Sequence, residues 1–233
     1  MKPDIFDFPR QFVTVDPILF TIQENKLKVL LIKRAKEPFK NQWAIPGGFL
    51  HRDESLEDAA RRKLEDDTGL KNIYLEQLYT YGEINRDPRA RILTVTYFAL
   101  VDSDKLEEFK PAKDKVLEIK WFDVNDLPEV AFDHKKMIEY AHQRLKYKLE
   151  YTAVGLELLP ILFTLTDLQN IYEAILNEKL DKRNFRKKIL SLGLLKPTSQ
   201  FKLGPHRPAR FYKLSDSGKK GTMPGFKWTK LEK

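Results

Sequence analysis

The stretch Gly48 to Leu70, GFLHRDESLEDAARRKLEDDTGL, constrains this chain more than any other. Ser55 followed by Asp58 is a capping-box-like start. Leu56, Ala59, Ala60 and Leu64 recur at helical spacing behind it, and Gly69 supplies a C-terminal stop. A helix from about Ser55 to Thr68 follows. On it Lys63, Asp66 and Asp67 stand at i, i+3 and i+4, so they share one strip of surface, with the small Ala59 and Ala60 a turn earlier. Glu65, at roughly 100° per residue, points away from that strip.

The whole stretch resembles the Nudix box: Gly, five residues, Glu, seven residues, Arg-Glu-apolar, one residue, Glu-Glu, one residue, Gly-apolar. Gly48, Glu54, Arg62, Leu64, Gly69 and Leu70 fall in register, while Lys63, Asp66 and Asp67 stand where the family has glutamates. A plain amphipathic helix with a solvated charged face would explain the helix but not this register. In a family enzyme the strip is a carboxylate cluster that holds hard cations, polarises a pyrophosphate and activates water. An ammonium has donors and no acceptor, so Lys63 cannot ligate Mg²⁺ and repels it, and each Asp reaches about one methylene less far than Glu. The resemblance therefore implies a retained fold and a degraded box, Gly48, Glu54, Arg62, Lys63, Asp66 and Asp67, from which no catalysis is expected. No cofactor is required on this reading, and no metal; Glu54, Asp66 and Asp67 are the residual candidate ligands.

At 233 residues the chain can hold two modest domains with real cores. With no Cys, disulfides and thiolate metal sites are excluded, in keeping with a reducing cytoplasm. The N-terminus lacks a basic segment followed by an apolar run, and no stretch approaches 18 uninterrupted apolar residues, so neither signal peptide nor membrane span is expected. The net charge of +8 is unevenly placed. Residues 1–150 carry 26 Lys+Arg against 27 Asp+Glu, whereas residues 151–233 carry 16 against 7. A neutral sensing or catalytic domain joined to a polyanion-binding one would show this asymmetry.

Taken in order, Val13 to Ile22 and Lys26 to Arg34 read as a hairpin around Gln23-Glu24-Asn25. Trp43 to Gly48 reads as a short strand running into glycines that allow close backbone approach to a ligand. Ile73 to Tyr81, Ile92 to Val101 and Val116 to Phe122 are further strands, and His134 to about Tyr151 is a long helix with Met137, Ala141, Leu145 and Leu149 on one face. The loop Gly82 to Arg91 carries Arg86, Arg89 and Arg91. It is either a ligand-gripping loop or an exposed hairpin loop with solubilising charge. Resemblance to the Nudix fold implies an α/β/α sandwich with a mixed sheet over roughly residues 10–150.

Beyond it, Thr166-Asp167-Leu168-Gln169 reads as a capping box ahead of Leu168, Ile171, Tyr172, Ile175 and Leu176 at helical spacing. After a break at 177–180, Asp181 can cap a second helix, Lys182 to Leu192, closed by Gly193. Phe185, Ile189 and Leu192 form its apolar seam; Lys182, Arg183, Asn184, Arg186, Lys187 and Lys188 take the other faces. Helix, turn, basic helix is the arrangement that places a recognition helix in the major groove. Phe201 to Leu214 reads as two strands around a basic tip, a wing whose His206, Arg207 and Arg210 can reach phosphate or a minor groove. Singly, each of these is ordinary: a solvated helix face, a polar loop histidine, arginines in internal ion pairs. Their order within about 50 residues favours nucleic acid.

A Nudix-like domain with a degraded box, followed by TLTDLQNIYEAIL, DKRNFRKKIL and RPARFYKL, is similar to the Nudix-related bacterial transcription regulators. That family includes repressors of NAD metabolism responsive to ADP-ribose and relatives controlling pentose-sugar use. The resemblance implies a Nudix-like effector domain over 1–152 and a winged helix-turn-helix domain over 153–233. It also implies a homodimer on double-stranded operator DNA, and a small-molecule effector, an ADP-ribose-like nucleotide or a pentose. Lys63, Asp66, Asp67, Arg86, Arg89 and Arg91 are the expected effector contacts; Lys182, Arg183, Asn184, Arg186, Lys187, His206, Arg207 and Arg210 are the expected DNA contacts. Two alternatives stand beside it. One is an active Mg²⁺-dependent Nudix hydrolase acting on ADP-ribose, favoured by Gly48, Glu54, Asp66 and Asp67 and opposed by Lys63. The other is an RNA-binding adaptor, for which no cluster of stacking aromatics speaks.

Overall fold

The computed structural model describes residues 10–101, 115–151, 159–203 and 208–215, with backbone only at 150 and 151. These fall into two compact units, one built from 10–20, 29–101 and 115–141, the other from 21–28, 142–151, 159–203 and 208–215.

β1 (Phe12–Gln23) and β2 (Lys26–Arg34) form the expected hairpin, which belongs to the first unit except for its tip, 21–28. Its turn residues Glu24 and Asn25 hold φ of 55° and 58°, the left-handed pair whose twist suits antiparallel strands. The Trp43 to Gly48 segment divides into β3 (Trp43–Ala44) and β4 (Gly48–Phe49), because β3 pairs with β2 while β4 crosses to β1. Then come α1 (Leu56–Thr68), β5 (Glu76–Tyr81), β6 (Ile92–Leu100), β7 (Val116–Asp123) and α2 (His134–Tyr151), of which the part through Ala141 belongs to the first unit. β5 begins three residues later than the pattern from Ile73 predicts. The strand order is β3-β2-β1-β6-β5, with β4 on β1 and β7 on β2. β1 lies parallel to β6 and the β5–β6 pair is antiparallel, so the sheet is mixed.

Alternate residues on both faces of the central strands are buried, Val15 and Leu19 on one side, Ile18 and Phe20 on the other, so both faces need a cover. On the first, α1 packs Ala59, Ala60 and Leu64 against Val15, Leu19, Leu30, Val95 and Tyr97. α2 buries Met137, Ile138 and Ala141 completely or nearly so. The ends of α1 follow their chemistry. Ser55 Oγ accepts the Asp58 N–H at 3.1 Å, and Gly69, at φ 80°, donates its N–H to Glu65 O at 2.7 Å.

The second unit has β8 (Phe163–Thr164), α3 (Leu165–Leu176), α4 (Lys182–Ser191), β9 (Leu195–Lys202) and β10 (Ala209–Leu214), the strands forming an antiparallel sheet ordered β8-β10-β9. The capping box of α3 uses Thr164 and Asp167 rather than the predicted Thr166 start. Thr164 ends β8 in extended conformation and so can cap, whereas Thr166 already lies inside the helix. Asp181 caps α4 as its sequence implies, and Gly193 takes φ 66° just beyond it. β9 starts at Leu195, six residues before the predicted Phe201, because its pairing with β10 runs back as far as Leu195↔Leu214.

Candidate functional site

Lys63 and Asp67 lie on the inward strip of α1, and both are buried. The Lys63 ammonium donates to Asp67 Oδ1 at 2.9 Å, and the second oxygen of Asp67 accepts the Gly47 N–H at 3.2 Å. The lysine reaches this position by passing under the glycine turn: a Cβ on Gly48 would stand 2.7 Å from Lys63 Cε. Burial pushes the Asp67 carboxyl up despite the ammonium beside it.

Asp66 does not join them. It projects outward to Arg62 at 3.4 Å, where its side chain is 40% exposed, so the predicted three-residue strip is split in two. Arg62 is bound mainly to Glu54, through Nε at 2.8 Å and Nη2 at 2.7 Å, and also donates to Phe49 O. With the His51 N–H added, these bonds hold the Glu54 carboxyl down at about 2. Each of Glu54, Asp66 and Asp67 thus has a cation of the chain already bound to it. Among the described residues no group of three acidic or histidine side chains is placed to hold a metal ion. The donor set does not fit the Mg²⁺ of a Nudix enzyme.

Above this floor lies a cavity of about 350 Å³, within the size range of small-molecule sites. Its walls come from β1 (Thr14, Asp16), β2 and the segment after it (Ile32, Arg34, Lys36, Glu37), the glycine turn with Phe49, the 82–91 loop and the start of α2. Lys63, Asp67, Arg86 and Arg89 line it; Asp66 and Arg91 do not, and Arg91 is exposed.

The arginine loop is anything but free. Arg86, with its side chain 4% exposed, makes a bidentate bond to Asp133 at 2.9 and 3.0 Å, while Glu83 pairs with Lys136. Arg89 folds back on Asp87 through Nε at 2.9 Å and Nη2 at 2.7 Å. Burial works against the charge on Asp87, but these bonds and the Arg89 N–H outweigh it and hold the carboxyl below its usual range. The guanidinium of Arg89 lies 5.1 Å from the Phe49 ring centre and 5.7 Å from that of Phe132, and Arg34 stands 5.0 Å over Phe132. Among the described residues the Arg34 side chain donates only to the backbone carbonyls of Pro38 and Lys36. Burial and then the neighbouring Arg89 lower its pKa, the condition of a cation that an arriving anion would relieve. His134 is buried and neutral, its pKa lowered to about 3 by burial. Its Nδ1 accepts the Ile45 N–H at 2.9 Å, so the ring proton sits on Nε2.

In the second unit α3 and α4 are locked by the Tyr172–Phe185 ring contact at 5.4 Å. The turn between them is stitched by Gln169 and Glu173, which bond the carbonyl and N–H of Leu180 at 3.0 and 3.1 Å. This leaves Lys182, Arg183, Asn184 and Lys187 exposed on α4. Arg186 differs: it is half-buried and donates to Thr166 at 3.3 Å. On the sheet Arg210 lies over Phe201 at 5.3 Å. His206 and Arg207 lie outside the described residues.

Residues 14–141 match the NUDIX domain, and residues 155–214 match the NrtR DNA-binding winged helix domain. The chain is 39% identical over 216 residues to the ADPR responsive transcriptional repressor of Acinetobacter baylyi, covering 90% of this chain and 84% of that protein. This chain belongs to the NrtR family. The crystal structure of Shewanella oneidensis NrtR complexed with a 27mer DNA is similar, with a TM-score of 0.78 at 34% identity, covering 93% of this chain and 99% of that one. The Nudix domain of the same protein complexed with ADP ribose has a TM-score of 0.55 at 40% identity, covering 62% of this chain and 94% of that one. The architecture implied by the degraded box and the basic helix, a Nudix domain followed by a winged helix, is the NrtR architecture. This chain is accordingly a DNA-binding transcription regulator with a Nudix effector domain.

Sequence reasoning missed Asp16, Arg34, Phe49, Phe132 and His134. Phe49 falls at an unspecified position of the box and the others in no motif: they come from β1, β2, β4, the segment before α2 and the first residue of α2, which only the folded sheet brings together.

Proposed function

We propose that this protein represses transcription by binding operator DNA through its winged helix, and that ADP-ribose, held in the cavity over α1, governs that binding. The observation that carries the reading is the Lys63–Asp67 pair at 2.9 Å: a cation of the chain occupies the cluster that a hydrolase would give to metal. A diphosphate fits the cations around it, Arg34 above all, and the rings of Phe49 and Phe132 offer flat surfaces to the rest of a nucleotide. ADP-ribose is preferred to a pentose because the repressor relative responds to it and the Nudix domain relative was crystallised with it.

Lys63, Asp67, Arg86 and Arg89 serve the effector, with Asp66 and Arg91 at its margin. Arg183, Asn184, Lys182, Lys187 and Arg210, together with His206 and Arg207, serve the DNA, and Arg186 braces α4 against α3. The effector domain takes residues 1–152 and the DNA-binding domain 153–233. The protein acts as a homodimer, since one recognition helix spans only one half-site. It works in the cytoplasm, where the chromosome is; among the described residues no helix is long and apolar enough to cross a membrane.

The test is fluorescence anisotropy of the full-length protein on duplexes selected from random sequence, with and without ADP-ribose, beside a hydrolysis assay in Mg²⁺. The expected results are a selected near-palindrome, altered DNA affinity with ADP-ribose, and no turnover. Turnover of ADP-ribose at an ordinary enzyme rate of about 1–10³ s⁻¹, or DNA binding indifferent to it, would overturn the proposal.

A further inference from the structure

Three buried carboxylates line the cavity: Asp16, Asp67 and Asp87, at 6%, 2% and 7% exposure. Two of them are neutralised, Asp67 by Lys63 and Asp87 by Arg89. Among the described residues no cation is bonded to Asp16. Its Oδ2 accepts the Thr94 hydroxyl at 2.6 Å, and among the described residues Oδ1 receives no hydrogen bond. Arg86, the cation that acts on it most strongly, is committed to Asp133.

The fold makes room for this arrangement. A Cβ on Gly47 would stand 1.9 Å from Asp16 Oδ1 and 2.8 Å from Val15 O, so only glycine admits the carboxylate here. A buried carboxylate with a single hydroxyl donor is costly, and hydrophobic residues would fill the same place on a strand at no such cost. What it offers is an acceptor set in advance inside a cavity whose other buried acids, Asp67 and Asp87, are spoken for.

We infer that Asp16 is a specificity-determining residue of the cavity, whose open carboxylate oxygen accepts a hydrogen bond from an uncharged donor, a hydroxyl or an amino group, on the bound ligand. Like charge keeps phosphate away from it, so the ligand's phosphates settle against Arg34, Lys63 and Arg89 and its donor end turns to Asp16. A ligand with only phosphates and no donor leaves the carboxylate unpaired and is rejected. The inference rests on the placement of the effector in this cavity proposed above.

Two sources supply such a donor in a nucleoside diphosphate sugar: the hydroxyls of the terminal sugar and the amino group of the base. Calorimetry on the full-length protein separates them with three probes: ADP-ribose, ADP, which lacks the terminal ribose, and IDP-ribose, which lacks the amino group. In the wild type the probe without the group that Asp16 reads should bind about 10- to 100-fold more weakly than ADP-ribose. Asp16→Asn should weaken ADP-ribose by a similar factor and leave that deficient probe nearly unchanged. Loss with ADP assigns the sugar hydroxyls, and loss with IDP-ribose the amino group.

Equal wild-type affinity for all three probes would overturn the inference without any variant. So would an Asp16→Asn protein that binds ADP-ribose as the wild type does, or one that loses the same factor for every probe, which would mark a general structural effect. Failure of the wild type to bind ADP-ribose at all would instead refute the effector assignment on which the inference stands.

Discussion

Asp16→Asn should make the fold more stable at neutral pH, and the gain can be worked from its surroundings. Burial raises the Asp16 carboxyl from 3.8 to about 6, with the Thr94 hydroxyl and the charge of Arg86 pulling the other way. Between those two values the folded protein binds more protons at this site than the unfolded chain does, so stability falls as pH rises through the window. Below about pH 4 the site costs nothing. Above about pH 6 its full cost is present, roughly 3 kcal/mol at about 1.4 kcal/mol per pKa unit. Asparagine keeps the shape and still accepts from Thr94 but never ionises, so it removes the cost. Paired denaturant melts of wild type and Asp16→Asn from pH 4 to 8 isolate the effect, since contributions common to both proteins cancel. The expected difference is near zero at pH 4 and grows to about 3 kcal/mol in favour of the variant by pH 7.5, or about 10 °C in Tm for a domain of this size. A variant less stable at pH 7.5, or a difference independent of pH, would refute the reasoning. A residue whose neutralisation stabilises the fold while weakening the ligand is retained for the ligand.

Three further outcomes can be checked. Lys63→Ala leaves Asp67 buried with only the Gly47 N–H, so the Nudix domain should lose about 3–5 kcal/mol, read as an earlier denaturant midpoint. Arg183→Ala with Lys187→Ala should weaken binding to all duplexes and reduce the slope of log affinity against log salt by about two, as measured by anisotropy. Arg186→Ala should instead lower the thermal stability of the second unit through its lost contact with Thr166, with little change in that slope.

Much of this molecule is written in local pattern. α1 with both caps, the β1–β2 hairpin, α2 and the Asp181 cap of α4 depend on contacts a few residues apart, and all can be read along the chain. Legibility fades where a choice is made by distant partners. Asp66 and Asp67 are adjacent and chemically alike, yet Asp67 turns inward because Lys63 and the Gly47 N–H receive it, and Asp66 turns outward to Arg62. Spacing on a helix assigns them a common neighbourhood without saying which bond each will make. The loop reads as ligand-gripping or exposed, because the partner of Arg86, Asp133, is 47 residues away and nothing nearby announces that pairing, whereas the partner of Arg89, Asp87, stands two residues from it. Asp16 is harder still. It is one acidic residue in a strand pattern, and its meaning comes from Thr94 on the parallel neighbour and from the missing side chain of Gly47.

If the domain does not hydrolyse ADP-ribose, as proposed, the Lys63–Asp67 pair also bears on whether one residue or several account for it. Lys63→Glu restores the carboxylate that the Nudix box has at this position, and it places two acids at i, i+4 on a strip that is almost wholly buried. Without the ammonium they repel each other, and the variant should be less stable than Lys63→Ala in a metal-free buffer. A divalent cation is then what can neutralise them, so Mg²⁺ should raise the melting temperature of Lys63→Glu and leave that of the wild type unchanged. Saturation at 100 times the dissociation constant corresponds to about 2.7 kcal/mol of stabilisation. Activity should not return with the metal. Glu54 remains tied to Arg62 by two bonds of 2.7 and 2.8 Å, and Asp66 faces away from the cavity, so the ligand set stays short of what a hydrolase needs to polarise a pyrophosphate and activate water. Thermal melts with and without Mg²⁺ beside a phosphate-release assay distinguish the cases. Turnover of ADP-ribose by Lys63→Glu, with none by the wild type, would mean that the single lysine, and not the wider rearrangement of Glu54, Arg62 and Asp66, is what opposes hydrolysis.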